Sequence, residues 1–420
     1  VSDHGTALTS TPSANRRIAA LDALRGVAII GIIPMNVIAF SMPAAAYINP
    51  RAFGGHDLGE TLLWAISFVL VEDKFRALFA MMFGAGVAIL LDKRSAHPLR
   101  DHFARMAALL VIAVAHAVFL ANNDVLRSYA VAGLLLPLAL RWRVRTLLLV
   151  SGALVAGQLA VSGWYAWDWL AYWQQRAGGA LVDPAPWQVA EAAYGFNPDA
   201  ITAAIQRNDA GLWERVTLRL SQAEQQLRFV AASLPSALAA MLLGMAFWRC
   251  GLLAGQWEAR RAMRLGLICA SASLPVLMAL AGWTMNSGFD PIVTAANVLV
   301  WSAPFDLALG VAYAAFAMAL FGSSLKEHRS TMLLAAAGRM ALTNYLSTSL
   351  IFAVMFAGWG LGLFAEVSRG QALLLCLVPT AAILAWSAPW LRHFRMGPAE
   401  WLWRSLADLK PRALRREAGS

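Results

Sequence analysis

The residues able to do chemistry in this chain are few, and they stand within or beside apolar stretches. His116 is the only histidine deep in such a stretch; His4, His56, His97, His102, His328 and His393 fall in loops, tails or the edges of apolar runs. Soon after Ala115-His116 comes Asn122-Asn123-Asp124-Val125-Leu126-Arg127, which gathers an imidazole, two amides, a carboxylate and a guanidinium around one tight turn. A carboxylate can orient an imidazole and raise its basicity, so His116 with Asp124 reads either as a general base or as a core histidine satisfied by its neighbours. A second group is Asp22 and Arg25 in Leu21-Asp22-Ala23-Leu24-Arg25-Gly26, with Asn36 further on. Eleven residues at ~100° each return Asn36 to within about 20° of Arg25, while the rise sets the two ~16 Å apart. That polar stripe is either a site reached from both sides or an interfacial ion pair with Asn36 bonded to another helix. Lys74 and Arg76 follow Glu72-Asp73, Asp306 follows Pro304, and Arg339 precedes Asn344. Each ionisable group inside a span costs roughly 2.5 to 3.5 kcal/mol and so needs a partner or a purpose.

The elements that must position these groups are membrane helices. Of 420 residues, 59% are hydrophobic and 14% charged, and the mean hydropathy of +0.58 excludes a string of soluble domains. The expected fold is an all-α polytopic transmembrane bundle in the lipid bilayer. Its ten spans are 19–41, 75–91, 103–121, 124–141, 146–167, 229–249, 264–284, 297–321, 332–357 and 371–391. Residues 58–71 are apolar but short, and Glu72 to Arg76 follow at once; they are expected to lie in the interface or dip partway in, and an eleventh crossing results if 58–73 spans. The net charge of +10 does not point to nucleic acid, because Lys and Arg sit in alternate short loops. Arg16 and Arg17, Lys93 and Arg94, Arg141 to Arg145, Arg260 to Arg264, Lys326 and the tail through Arg416 share one face, which places both termini in the cytoplasm.

The expected organisation is a cytoplasmic tail (1–18), an N-terminal membrane bundle (19–167), an outer helical cap (168–228), a C-terminal membrane bundle (229–393) and a basic cytoplasmic tail (394–420). In the cap, Leu212, Val216, Leu220, Ala223 and Leu227 recur at helical spacing. Cys250, Cys269 and Cys376 are far apart and match neither a disulfide framework nor a metal-ligand spacing, so no metal is expected. The sequence is compatible with a homodimer.

Five motifs carry a family resemblance. They are Leu21 to Gly26; Lys74-Phe75-Arg76-Ala77-Leu78-Phe79 running into Phe83-Gly84-Ala85-Gly86; Asp124-Val125-Leu126 with Tyr129-Ala130 and Gly133; Gly338-Arg339-Met340-Ala341-Leu342-Thr343-Asn344-Tyr345-Leu346; and Phe394-Arg395 leading to Gly397-Pro398-Ala399-Glu400-Trp401-Leu402-Trp403-Arg404. In order along residues 16–404, they resemble the YeiB family, which implies a bacterial inner-membrane protein. That family is itself similar, distantly, to transmembrane acyltransferases, including the membrane acyltransferase-3 group and heparan-alpha-glucosaminide N-acetyltransferase. In acyltransferase-3 proteins a basic residue is followed, after ten intervening residues, by a catalytic histidine; Arg25 matches the first, and Asn36 stands where the histidine would be. The glucosaminide enzyme has its histidine further on, where this chain offers Tyr47 and no His. Asp306 also departs from the uncharged amide expected of relatives.

The resemblance implies transfer of an acyl group from cytoplasmic acyl-CoA to a periplasmic or membrane acceptor. Arg25, Arg339, Asn344 and Arg395 would hold the CoA, His116 would act as base oriented by Asp124, and Asn36 would donate to the oxyanion. Asp22, Lys74, Arg76, Arg127 and Asp306 would contact substrate. The alternative from another class is a transporter or binding protein for a small polar solute, served by the same polar groups. On the topology above, a reporter active only outside the cytoplasm is expected to work when fused at Gly178 and to fail at Ser420. Cytoplasmic activity at Gly178 overturns the span count.

Overall fold

The computed structural model describes residues 12–92, 97–121, 124–322, 325 and 327–416, with the backbone alone for 12–18. Lys93, Arg94, Asn122, Asn123, Lys326 and the side chains of Arg16 and Arg17 lie outside the described residues. Within them the chain is helical and has no strand beyond one bridge between Phe394 and Arg415. Apolar runs in lipid must satisfy every N–H and C=O internally, and the helix does so within one segment. Among the described residues eight helical runs, 58–91 counted as one, are long and apolar enough to cross a membrane, and three shorter apolar helices accompany them. The chain is an all-α polytopic bundle.

Helix α1 (Pro12–Ser41) leads to α2 (Leu58–Leu70), which Asp57 caps by accepting from Glu60 N. One face of the stretch 58–71 packs against the protein. Its Trp64 and Phe68 pack with Leu277, Leu309 and Ala312, and its Leu70 carbonyl accepts from Tyr313 Oη. Leu58, Leu62 and Ile66 remain exposed on the opposite face. After Asp73, held in the left-handed region at φ 58°, the chain resumes as α3 (Lys74–Leu91), so that 58–91 is one broken apolar run.

Next come α4 (Pro98–Phe119) and α5 (Leu126–Leu135), which continues as a 3-10 turn over Leu136–Ala139. α5 is shorter than a full span because it starts inside the protein, at the buried Asp124. α6 (Val144–Ala177) continues well beyond 167, ending only where Gly178 and Gly179 follow.

Three helices form the connection expected over 168–228: α7 (Ala185–Tyr194), α8 (Pro198–Asp209) and α9 (Leu212–Ser221). They are tied to helix ends by polar bonds. Arg219 donates to the carbonyls of Val118 and Leu120 at the end of α4, and Asn208 Nδ2 donates to Phe356 O. Burial, with Arg215 beside it, pushes the Arg219 guanidinium down to about 10. The apolar positions expected to recur along one helix over 212–227 do not share a buried face: Val216 is buried, while Leu212, Leu220 and Leu227 are exposed. The reason is that Gln222 interrupts the helix, so the stripe never lies on one cylinder.

The second half contains α10 (Ala223–Arg249), α11 (Ala259–Asn286) and α12 (Pro291–Ala296), then a π-turn over Asn297–Trp301 and α13 (Ala303–Gly322). The expected span 332–357 is two helices, α14 (Arg329–Arg339) and α15 (Ala341–Phe356), broken at Met340. Similarly α16 (Arg369–Leu375) and α17 (Leu377–His393) divide at Cys376, and α18 (Pro398–Asp408) follows.

Two close crossings fix the centre. A Cβ on Gly84 would stand 2.0 Å from Met241 O and one on Gly244 1.9 Å from Met81 O, where α3 meets α10. A Cβ on Gly26 would stand 2.1 Å from Leu334 O and one on Gly338 1.8 Å from Asp22 O, where α1 meets α14. Since lipid tails are as apolar as leucine, membrane helices associate largely by such close packing of small residues. Gly84→Leu or Gly244→Leu is therefore expected to abolish most folded protein in detergent size-exclusion profiles. Gly152→Leu and Gly157→Leu, where nothing lies within 4 Å of the added Cβ, should elute as wild type.

Candidate functional site

Two cavities flank α3. The larger, about 260 Å³, lies at the basic end of the bundle between α1, α3, α4, the α14–α15 break and α18. Arg25, Arg105, Arg339 and Arg404 converge on it, with Glu400 as the carboxylate among them. Arg25 is engaged by Asp22 at 2.8 Å, which still leaves the arginines outnumbering the carboxylates by two. Burial, and Arg412 nearby, lower the pKa of Arg404. Such a site favours anions, and the guanidinium fork matches phosphate geometry in particular.

Glu400 is positioned by α18 and serves the break. Its Oε1 accepts from Leu342 N at 2.7 Å and Thr343 N at 3.2 Å, and its Oε2 from Thr343 Oγ1 at 2.5 Å, so one side chain satisfies the amides that open α15. Burial raises the Glu400 pKa against these hydrogen bonds, which favour its charged form.

Beyond the apolar deep end of this cavity lies the histidine group. Leu109, Leu126 and Leu342 line the cavity and pack in the same cluster as Tyr345. His116 Nδ1 stands 3.2 Å from Asp124 Oδ1, and both side chains are buried. The same Asp124 oxygen accepts from Tyr345 Oη at 3.0 Å and from Leu126 N at 3.1 Å. The His116 ring lies 5.4 Å from that of Tyr345, and neither ring nitrogen has a hydrogen-bond partner among the described residues, Nδ1 making only the 3.2 Å approach to Asp124. The structure thus brings His116 and Asp124 together and adds Tyr345. Asp124 acts through α5, whose first turn it caps from inside the bundle.

The second cavity, about 120 Å³, lies on the other face of α3, against α5, α6, α10 and α13. Asp73, Arg76 and Asp306 line it, together with Ser128, Ser233 and Ser236. Arg76 pairs with Asp73 at 2.7 Å, and its carbonyl accepts from Tyr129 Oη. Behind them Lys74, fully buried, pairs with Asp306 at 2.6 Å and donates to Phe68 O. An unpaired charge there would be costly, so Lys74 and Asp306 hold α3 to α13.

The other sequence-derived candidates are dispersed. Asn36 is half-buried, makes no side-chain hydrogen bond among the described residues and lines neither cavity. Asn344 joins helices: its Nδ2 donates to Ala337 O and Ser387 Oγ, and its Oδ1 accepts from Trp386 Nε1. Arg127 donates to Gln226 Oε1 on α10 at 2.7 Å. Arg395 is exposed, its N–H donating to Leu414 O. In its place stand Arg105 and Arg404, neither of which is among the four residues expected to hold CoA, although Arg404 falls in the last motif. Glu400 stands in the same last motif, but nothing in local sequence signalled its role, since its partners are nearly sixty residues away.

Residues 247–410 match a family described as a protein of unknown function, DUF418. The chain is 30% identical over 392 residues to the uncharacterized protein YeiB of Escherichia coli (strain K12), covering 92% of this chain and 95% of that one. It is 27% identical over 410 residues to the uncharacterized protein YxaH of Bacillus subtilis (strain 168), covering 94% and 95%. No solved structure matches.

Glu400→Ala removes the acceptor for two amides and a hydroxyl in a buried place. A loss of about 2–4 kcal/mol is expected, read as a melting midpoint lower by several degrees. Glu400→Gln, which keeps one carbonyl acceptor, should recover part of it.

Proposed function

The chain belongs to the YeiB-like family, and from its basic cavity we propose that it is an acyltransferase of the bacterial inner membrane that takes acyl-CoA from the cytoplasm. The convergence of four arginines on a cavity with an apolar deep end carries this reading. CoA presents phosphates joined to an acyl chain, and the cavity presents guanidinium groups joined to Leu109, Leu126 and Leu342 in the same order. The basic end would then be the cytoplasmic face, as the loop charges also require.

In this reading the acceptor bears a hydroxyl or amine and attacks the thioester carbonyl. The new C–O or C–N bond forms as the C–S bond breaks, and the CoA thiolate leaves. His116 Nε2 accepts the acceptor's proton and passes it to the thiolate, while Asp124 on Nδ1 holds the ring and stabilises the imidazolium. Tyr345 Oη steadies Asp124. Leu126 and Leu342 must shift for the thioester to meet the imidazole, since both stand between cavity and histidine. Asn36 has no part in this version, because it lines neither cavity.

Binding of acyl-CoA to purified protein, with release of free thiol recorded, tests the reading. Arg339→Ala and Arg404→Ala are expected to weaken binding about tenfold at low salt and less at high salt, where screening already discounts the contact. His116→Gln should fold, bind acyl-CoA as wild type and release no thiol. Acyl-CoA binding unchanged in both arginine variants, or thiol release at the wild-type rate in His116→Gln, overturns it.

A further inference from the structure

The second cavity has a different electrostatic character from the first. Asp73 and Arg76 stand at the head of α3 with 30% and 40% of their side-chain surface accessible, whereas Lys74 and Asp306 beside them are covered, at 0% and 5%. Both Asp73 and Arg76 line the cavity. Ionised groups inside a membrane protein are expensive and tend to mark a ligand path, and a fully covered pair would have sufficed for holding helices together. The hydroxyls of Ser128 and Ser233, 2.7 Å apart, complete the polar floor. Toward the outside the lining turns apolar: Phe229 and Leu299, both exposed on the bundle's surface, stand among it.

The charges on the floor cancel, Arg76 against Asp73 and Lys74 against Asp306. An anionic or cationic ligand would leave an uncompensated charge in a low-dielectric place. A zwitterion would not, because its cation can take Asp73 and its anion Arg76, exchanging one ion pair for two at no net charge.

We propose that this cavity binds a zwitterionic head carrying a primary ammonium and a phosphate, delivered by a membrane lipid whose chains lie against Phe229 and Leu299. The volume of about 120 Å³ suits a head and not a whole lipid. The proposal is independent of acyl transfer, whose cavity lies across α3 and carries net positive charge, so either can fail without the other.

The full-length protein, in detergent with equimolar dioleoyl phosphatidylethanolamine and dioleoyl phosphatidylglycerol, is examined by native mass spectrometry. Wild type is expected to retain the ethanolamine lipid over the glycerol lipid by about tenfold. Arg76→Gln should lose that preference. Ser236→Leu, which fills the cavity from α10 without touching a charge, should lose it while keeping the wild-type melting midpoint, which guards against an Arg76 variant that fails to fold. Equal retention of the two lipids, or a preference that survives Ser236→Leu, overturns the proposal. Displacement of the lipid by O-phosphoethanolamine at comparable concentration would keep the head chemistry and move its source from bilayer to solution.

Discussion

The arrangement rests on two backbone contacts that a side chain would forbid. α3 crosses α10 at Gly84 and Gly244, and α1 crosses α14 at Gly26 and Gly338, each with a carbonyl oxygen about 2 Å from where a Cβ would be. In water, hydrophobic burial would draw these helices together without such closeness; in lipid it does not, and close packing must supply the attraction. The crossings also place the cavities. Arg25 and Arg339 stand next to the glycines of the α1–α14 crossing, while Ala77 and Ala80 of α3 and Ala237 and Ala240 of α10 line the small cavity one or two turns from the glycines of the α3–α10 crossing.

Charge inside the bundle is handled in two ways. Some groups are closed off in pairs that fasten one helix to another, as Lys74 and Asp306 fasten α3 to α13. Others keep accessible surface against a cavity, as Asp73 and Arg76 do on one side of α3 and the arginines do on the other. The same helix therefore separates a neutral polar compartment from a cationic one. Tyr129 and Phe79, stacked at 5.9 Å, belong to opposite compartments and form part of the partition.

The groups of interest gather where helices break. Asp73 sits in the gap between α2 and α3, Asp124 at the buried start of α5, and Arg339 at the break between α14 and α15. Breaks inside a membrane protein leave backbone amides without intrahelical partners, and something must answer them. At α5 the answer is Asp124, through Leu126 N; at α15 it is Glu400, reaching from α18. A carboxylate placed to satisfy a backbone is also a charge placed beside a cavity or an imidazole.

Composition and hydropathy by themselves determined that the chain is an all-helical membrane bundle, because a span of lipid imposes its length and apolarity on every crossing segment. The motifs determined the family, and the pairing of His116 with Asp124 was legible because the two are close in sequence. The cap's stripe misled, since periodicity assumes one continuous helix and Gln222 ends it. Tertiary structure alone decided that Lys74 meets Asp306, that Glu400 serves α15, and that Arg105 and Arg404 rather than Arg395 complete the basic cavity. Each of those joins residues far apart along the chain, and their meeting depends on which helices cross at which glycine, a geometry that no local periodicity encodes.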